Sequence, residues 1–153
     1  MSLAALAYKP IHENLSKEAL RLLDSYADLL FNEAMPSGFI GDCGRNDIDT
    51  RHIFDAVLPA ISDESKAAFP LWQSEKLNVF DLGAGSGIPS IPLAILFPQH
   101  TFHLIDAQEK RCTFALNAAQ KLGLLNVKIY HGVVQDFPKK YGTDKKADIV
   151  IFR

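Results

Sequence analysis

Cysteine is scarce in this chain: Cys43 and Cys112 are the only two among 153 residues. Two thiols that far apart frame neither a disulfide scaffold nor a zinc site. The five histidines, His12, His52, His100, His103 and His131, show no HExxH or other tight ligand spacing, so no metal is expected. Long apolar runs are missing too. Each is broken by proline, glycine or charge before the roughly 18 residues that a membrane span needs. No basic segment precedes the weakly apolar N-terminus and no long apolar core follows, which argues against a secretory signal. An excess of one charge is also lacking: 16 Lys and Arg oppose 18 Asp and Glu, a net charge of −2. A polyanion binder would therefore need a local basic surface. Lys139, Lys140, Lys145 and Lys146 form one small basic cluster, and Lys110, Arg111 and Lys121 another. A reducing, metal-free, cytoplasmic protein with no membrane contact is the expectation.

What is present points to a folded protein. Hydrophobic residues make up 48% of the chain and charged residues 22%, a globular balance. Ser16 can cap a helix over roughly 17–34, where Leu20, Leu23, Ala27, Leu30 and Phe31 recur at three- and four-residue steps. Met35-Pro36-Ser37-Gly38 ends it, and a flexible loop is expected up to Asp47. A second helix is predicted from Ile48 to about Ile61, with a short helical piece up to Leu71. The pattern then changes. Leu77–Leu82, Thr101–Ile105, Val127–Tyr130 and Asp148–Phe152 read as strands, with helices over Pro89–Phe97 and from Gln108 to about Leu122, stopped by Gly123. Alternating strands and helices predict an α/β, Rossmann-like fold with a parallel sheet and right-handed crossovers. Residues 1–76 read as an N-terminal helical extension packing on the core, and 77–153 as the front part of that core. The last strand would leave an apolar edge, so the sheet reads as incomplete at its C-terminus.

The informative stretch is "NVFDLGAGSGIPSIPLAIL", from Asn78 to Leu96. A strand, a glycine loop and a helix in succession place backbone N–H groups at a helix start, where polar ligand groups bind. The P-loop pattern GxxxxGK[ST] is absent. The dinucleotide pattern GxGxxG is a near miss: from Gly85 the residues run G-S-G-I-P-S, with Ser90 in the third glycine's place. That leaves a nicotinamide-dependent oxidoreductase open. Asp81, at the carboxyl end of the first strand, can orient the loop or meet a cationic amino or sulfonium group. Asp106 ends the next strand, where an acid can accept hydrogen bonds from ribose hydroxyls. The bland alternative is a tight turn at the glycines with Asp106 as a helix cap. Asp-x-Gly-x-Gly-x-Gly followed by that second acid resembles the S-adenosylmethionine-dependent methyltransferases.

A narrower resemblance follows from Pro89 and Pro92. "DLGAGSGIPSIPLAILFP" is similar to the D-x-G-x-G-x-G-[FL]-P-G-[IV]-P-L-A-I stretch of the bacterial small-subunit ribosomal RNA methyltransferase G family, also called glucose-inhibited division protein B. "LIDAQEKRCTFALNAAQKLGLLNV", "RHIFDAV" and "ADIVIFR" resemble further segments of that family. The resemblance implies methyl transfer from S-adenosyl-L-methionine to N7 of a guanine in 16S ribosomal RNA, free or in an assembling small subunit. It implies Gly83, Gly85, Gly87 and Ile88 on the methionine side of the cofactor, Asp106 at the ribose, and Val134 and Gln135 beside the adenine. Arg153, placed as the catalytic residue, would face the cofactor or the target base. Lys110, Arg111 and His52 are the RNA-contact candidates, although His52 also reads as a half-buried helix histidine. The chain departs from the family at Ser90 (usually glycine), Gln135 (often glutamate) and Phe152 (a small residue). A non-catalytic protein that binds the cofactor or scaffolds a partner is the third reading.

Overall fold

The computed structural model describes residues 15–63, 67, 70–142 and 146–152. The first helix, α1 (Lys17–Leu29), starts where Ser16 Oγ accepts a 3.1 Å hydrogen bond from the Ala19 N–H. That bond satisfies one of the otherwise unpaired N–H groups of the first turn. Leu23, Tyr26 and Ala27 form its buried stripe. The helix widens into one π-helical turn, Leu30–Ala34, and ends at the turn containing Gly38, whose φ is +70°.

The segment expected to be a flexible loop is pinned instead. Arg45 opens a short helix, α2 (Arg45–Asp47), and reaches three carboxylates. It bonds Asp24 Oδ1 and Asp28 Oδ1 of α1, each at 2.9 Å, and Asp49 Oδ1 in the following π-helical stretch, Ile48–Phe54. Asp49 is fully buried, and burial pushes its carboxyl above the usual range against the pull of Arg45. The π-helical stretch runs directly into α3 (Asp55–Ile61). A single 3₁₀ turn, Pro70–Gln73, follows. Its Trp72 stacks on Phe97 with ring centroids 5.2 Å apart.

The strands are β1 (Asn78–Leu82), β2 (Thr101–Asp106), β3 (Val127–His131) and β4 (Ile149–Phe152). All pairings are parallel, in the order β3-β2-β1-β4. The helix α4 (Ser90–Leu96) joins β1 to β2, and α5 (Glu109–Lys121) joins β2 to β3. After β3 come a 3₁₀ turn, Val134–Asp136, and α6 (Phe137–Tyr141), elements the sequence pattern did not reveal.

One large apolar cluster packs α1, α3, α4 and α5 against one face of the sheet, through residues such as Leu30, Val57, Val79, Ile91, Phe102 and Phe114. A smaller cluster, Phe80, Ile105, Tyr130 and Phe137, sits on the other face. Asn126 fastens the floor of the first layer. Its side-chain amide donates to the carbonyls of Ala94, Phe97 and His100 at 3.1, 3.3 and 3.1 Å. At the edge strand β4, Val150 and Phe152 are exposed. No helix among the described residues is long and apolar enough to cross a membrane.

Candidate methyl-donor site

The chain leaves β1, winds outward through β2 and β3, and returns to place β4 on the other side of β1. The carboxyl end of β1 is therefore a topological switch point, the place where open parallel sheets form a ligand crevice. The glycine loop lies there. Its first residues fold over the end of β2: the N–H groups of Gly83 and Ala84 both donate to the Ile105 carbonyl, at 2.8 and 3.1 Å. Gly87 N–H closes the turn on the Ala84 carbonyl at 2.8 Å. A side chain at Gly87 is excluded twice over. Its φ is +93°, and an added Cβ would lie 2.6 Å from Ile91 Cδ1.

Two carboxylates frame the loop. Asp106, at the end of β2, accepts from the Gly85 N–H through Oδ2 and from the Gln108 N–H through Oδ1, each at 2.8 Å. One side chain thus ties the glycine loop to the entry of α5. From sequence Asp106 read as a ribose partner or a helix cap; its bond to the Gln108 N–H lies at the helix entry, and its bond to the Gly85 N–H is one the sequence did not reveal. Asp81, near the end of β1, is only 1% exposed. Ser90 Oγ, also buried, donates to its Oδ2 at 2.6 Å. Burial raises the Asp81 carboxyl to about 6; the Ser90 bond opposes that rise, and the nearby Asp106 charge adds to it.

Two contributors escaped the sequence reading. Tyr26 of α1 is fully buried and its hydroxyl donates to the Ser86 carbonyl at 2.7 Å. Burial, and then the Asp81 charge, hold its phenol well above the usual range. Ser90 entered only as a departure from a pattern, yet its hydroxyl is the partner of Asp81. The signal for Ser90 was present in the sequence, as a hydroxyl nine residues after a strand-end acid. Tyr26 gave none, because a tyrosine on a helix's buried stripe reads as core.

The other expected residues fall at different distances from this centre. Val134 and Gln135 lie in the turn after β3, at the same end of the sheet. Gly132 N–H anchors the start of that turn to the Asp106 carbonyl at 2.9 Å. Ile88 is buried on one side, and with Asp55, Ala56, Pro89, Ile151 and Phe152 it lines a cleft of about 230 Å³. Lys110 and Arg111 occupy the first turn of α5. Lys110 is exposed on a separate cleft of about 370 Å³ shared with Glu33 and Phe39. Arg111 Nε is buried without a partner among the described residues. His52 is half-buried in the π-helical stretch before α3. Arg153 and Lys145 lie outside the described residues. Among the described residues no group of three or more His, Cys, Asp or Glu side chains could hold a metal ion.

The sequence profile of the family described as rRNA small subunit methyltransferase G matches residues 19–153. The chain belongs to this family. Members of the rRNA small subunit methyltransferase G family resemble it over most of its length. The protein of that name from Geobacillus sp. (strain WCH70) is 34% identical over 142 residues, covering 92% of this chain and 56% of its own. The one from Streptococcus pyogenes serotype M5 (strain Manfredo) is 30% identical over 149 residues, covering 95% and 60%. The chain thus spans less than two thirds of the length of these curated relatives. Among solved structures, a candidate O-methyltransferase from Klebsiella pneumoniae superposes with a TM-score of 0.54 at 16% identity, over 84% of this chain and 51% of that one. A candidate sarcosine dimethylglycine methyltransferase from Galdieria sulphuraria gives 0.51 at 16% identity, over 71% and 37%. These two share the fold, and the α/β, Rossmann-like architecture read from the sequence stands.

Proposed function

We propose that this chain provides the S-adenosylmethionine-binding part of a methyltransferase that modifies N7 of a guanine in 16S ribosomal RNA. The observation that carries the reading is the closure of the glycine loop on Asp106, with the buried Asp81 beneath it. The residues present fit the cofactor. The loop's backbone is free of side chains at Gly83 and Gly85, where an added Cβ meets only open space or one carbonyl oxygen at 4.0 Å. The Asp106 oxygens each accept one N–H and retain lone pairs for ribose hydroxyls. Asp81 offers a countercharge to an ammonium group in a site where its own ionisation is disfavoured.

When bound, S-adenosylmethionine supplies an electrophilic methyl group on a sulfonium. Gly83, Gly85, Gly87 and Ile88 would line its methionine end, Asp106 its ribose, and Val134 and Gln135 its adenine. A guanine N7 carries a lone pair and no proton, so the chain needs no general base. Its task is to hold the two reactants in line and to match the charge that leaves the sulfur. Arg153 is proposed to face the cofactor or target base, and Lys110, Arg111 and His52 to meet the RNA. The nicotinamide reading gains nothing from the family match, and neither does a scaffold without catalysis.

Calorimetric titration with S-adenosylhomocysteine, and separately with NAD, tests the cofactor. Saturable binding of the first alone supports the proposal; binding of NAD alone, or of neither, removes it. Methyl incorporation into 16S ribosomal RNA lacking the modification then tests the substrate. Absence of incorporation by a protein that binds S-adenosylhomocysteine would favour the scaffold.

A further inference from the structure

Ser90 and Asp81 form a pair whose role goes beyond packing. Both are buried, their contact is short at 2.6 Å, and they come from different elements, the first residue of α4 and the fourth of β1. A hydroxyl buried beside a carboxylate has a choice of partners; here it donates to the acid. The bond occupies Asp81 Oδ2. Asp81 Oδ1 has no hydrogen-bond partner among the described residues. Among the described residues, the groups packed around Asp81 supply no positive charge. Its titratable neighbours are Tyr26 from α1 and Asp106 from the end of β2, one an uncharged phenol and the other a carboxylate that repels it. The remaining residues of α4, Ile91 to Leu96, carry no charge at all. Among the described residues an ionised Asp81 has no cation beside it, and a single neutral hydroxyl fixes its orientation.

We propose that Ser90 is a positioning residue for the methyl donor: by holding one oxygen of Asp81 it presents the other to the cationic amino group of the donor's methionine end. The inference rests on the cofactor reading above and assigns a role to a side chain that a glycine could not fill. Ser90 does not touch the reacting atoms. It acts through Asp81, by lowering the cost of keeping that carboxylate ionised and by fixing its rotamer.

Two ligands separate this role from a merely structural one. S-adenosylhomocysteine carries the amino acid end; 5′-methylthioadenosine has the same nucleoside and lacks that end. Ser90→Ala is expected to weaken S-adenosylhomocysteine about tenfold, the usual effect of losing a hydrogen bond to a charged group. Binding of 5′-methylthioadenosine should stay within about twofold of the parent's, because the loop and Asp106 are untouched. Below neutral pH the affinity of the parent for S-adenosylhomocysteine should fall as Asp81 takes up a proton. In Ser90→Ala that fall should begin at higher pH, since the bond that favours the ionised acid is gone. Ser90→Thr keeps the hydroxyl and should restore both the affinity and the pH profile. Equal losses for the two ligands, or an unmoved pH profile, would overturn the inference while leaving the cofactor reading intact. Failure of the parent protein to bind S-adenosylhomocysteine would instead overturn the reading on which it rests.

Discussion

The hydroxyl of Tyr26 donates a 2.7 Å hydrogen bond to the carbonyl of Ser86, joining the first helix to the glycine loop across 60 positions of sequence. The bond is buried, so its loss leaves a carbonyl without a partner. Tyr26→Phe is expected to cost about 1–2 kcal/mol of stability. It should also weaken S-adenosylhomocysteine binding, because the loop loses its fastening to α1. Urea denaturation and calorimetry on the same protein check both effects. A phenylalanine variant as stable as the parent would show that the bond contributes nothing net.

Gly87 and Gly83 should respond differently to alanine. At Gly87 the new Cβ meets Ile91 at 2.6 Å as well as a φ of +93°, and the two penalties add to roughly 2–4 kcal/mol. At Gly83 the φ is +81° but nothing lies within 4 Å of the new Cβ, so only the backbone penalty of about 1–2 kcal/mol applies. Gly83→Ala should therefore stay folded, and it should lose cofactor affinity if the ligand approaches the loop there. Thermal melts with and without S-adenosylhomocysteine distinguish the pair; equal destabilisation at both positions would contradict the geometry.

Asp81 sets stability against function. Its carboxyl is raised from 3.8 to about 6 in the folded protein, so the fold favours its neutral form. The stability it contributes is complete below pH ~4 and is lost as pH rises through ~6, a cost above that point of roughly 3 kcal/mol. Asp81→Asn removes the charge and keeps a group that Ser90 can bond. At pH 8 this variant should be more stable than the parent, and its stability should change less between pH 4 and 6, while its affinity for S-adenosylhomocysteine falls. Denaturant titrations at pH 4, 6 and 8 measure the first two effects. A variant less stable than the parent at pH 8 would refute the assignment.

Asp106 receives two backbone N–H groups, one on each oxygen. Asparagine can accept only one of them and would set its own N–H groups against the other. Asp106→Asn is expected to cost about 1.5–3 kcal/mol of stability and to reduce S-adenosylhomocysteine binding. Unchanged binding would remove Asp106 from the ribose site.

RNA affinity, if phosphate contacts carry it, should fall steeply with salt. Removing Lys110 or a phosphate-bonded Arg111 should lessen the slope of log K against log salt by about one per contact. A salt-independent affinity would exclude both residues as phosphate ligands.

The legible parts of the fold were those encoded by short-range pattern. Ser16 and Gly123 marked helix ends because capping is local chemistry, and the apolar runs at Leu77–Leu82 and Thr101–Ile105 announced the parallel strands observed at Asn78–Leu82 and Thr101–Asp106. The carboxyl end of β1 was legible as a candidate ligand site because the glycines and the two acids lie within one strand-helix-strand unit. Hidden from sequence were the relationships between distant elements. Arg45 read as part of a glycine- and aspartate-rich loop, since two of the three acids that hold it lie on α1. The π-helical turns at Leu30–Ala34 and Ile48–Phe54 bond five residues apart, and the buried Ile48 and Ile53 are spaced by five, a step that a search for three- and four-residue periodicity does not detect. The short α6 escaped because five residues, Phe137–Tyr141, are too few to display a period.

The amide of Asn126 faces three carbonyl oxygens, and a side chain there must donate hydrogen bonds to satisfy them. Asparagine is chemically perishable: hydrolysis of its amide, with no change to the gene, leaves a carboxylate. Here that conversion would set a negative acceptor against three acceptors and turn the fastening of α4 into a repulsion. The durability of the protein under the sheet is thus tied to a single carbon–nitrogen bond, and ageing at this one amide would loosen the floor on which the site stands.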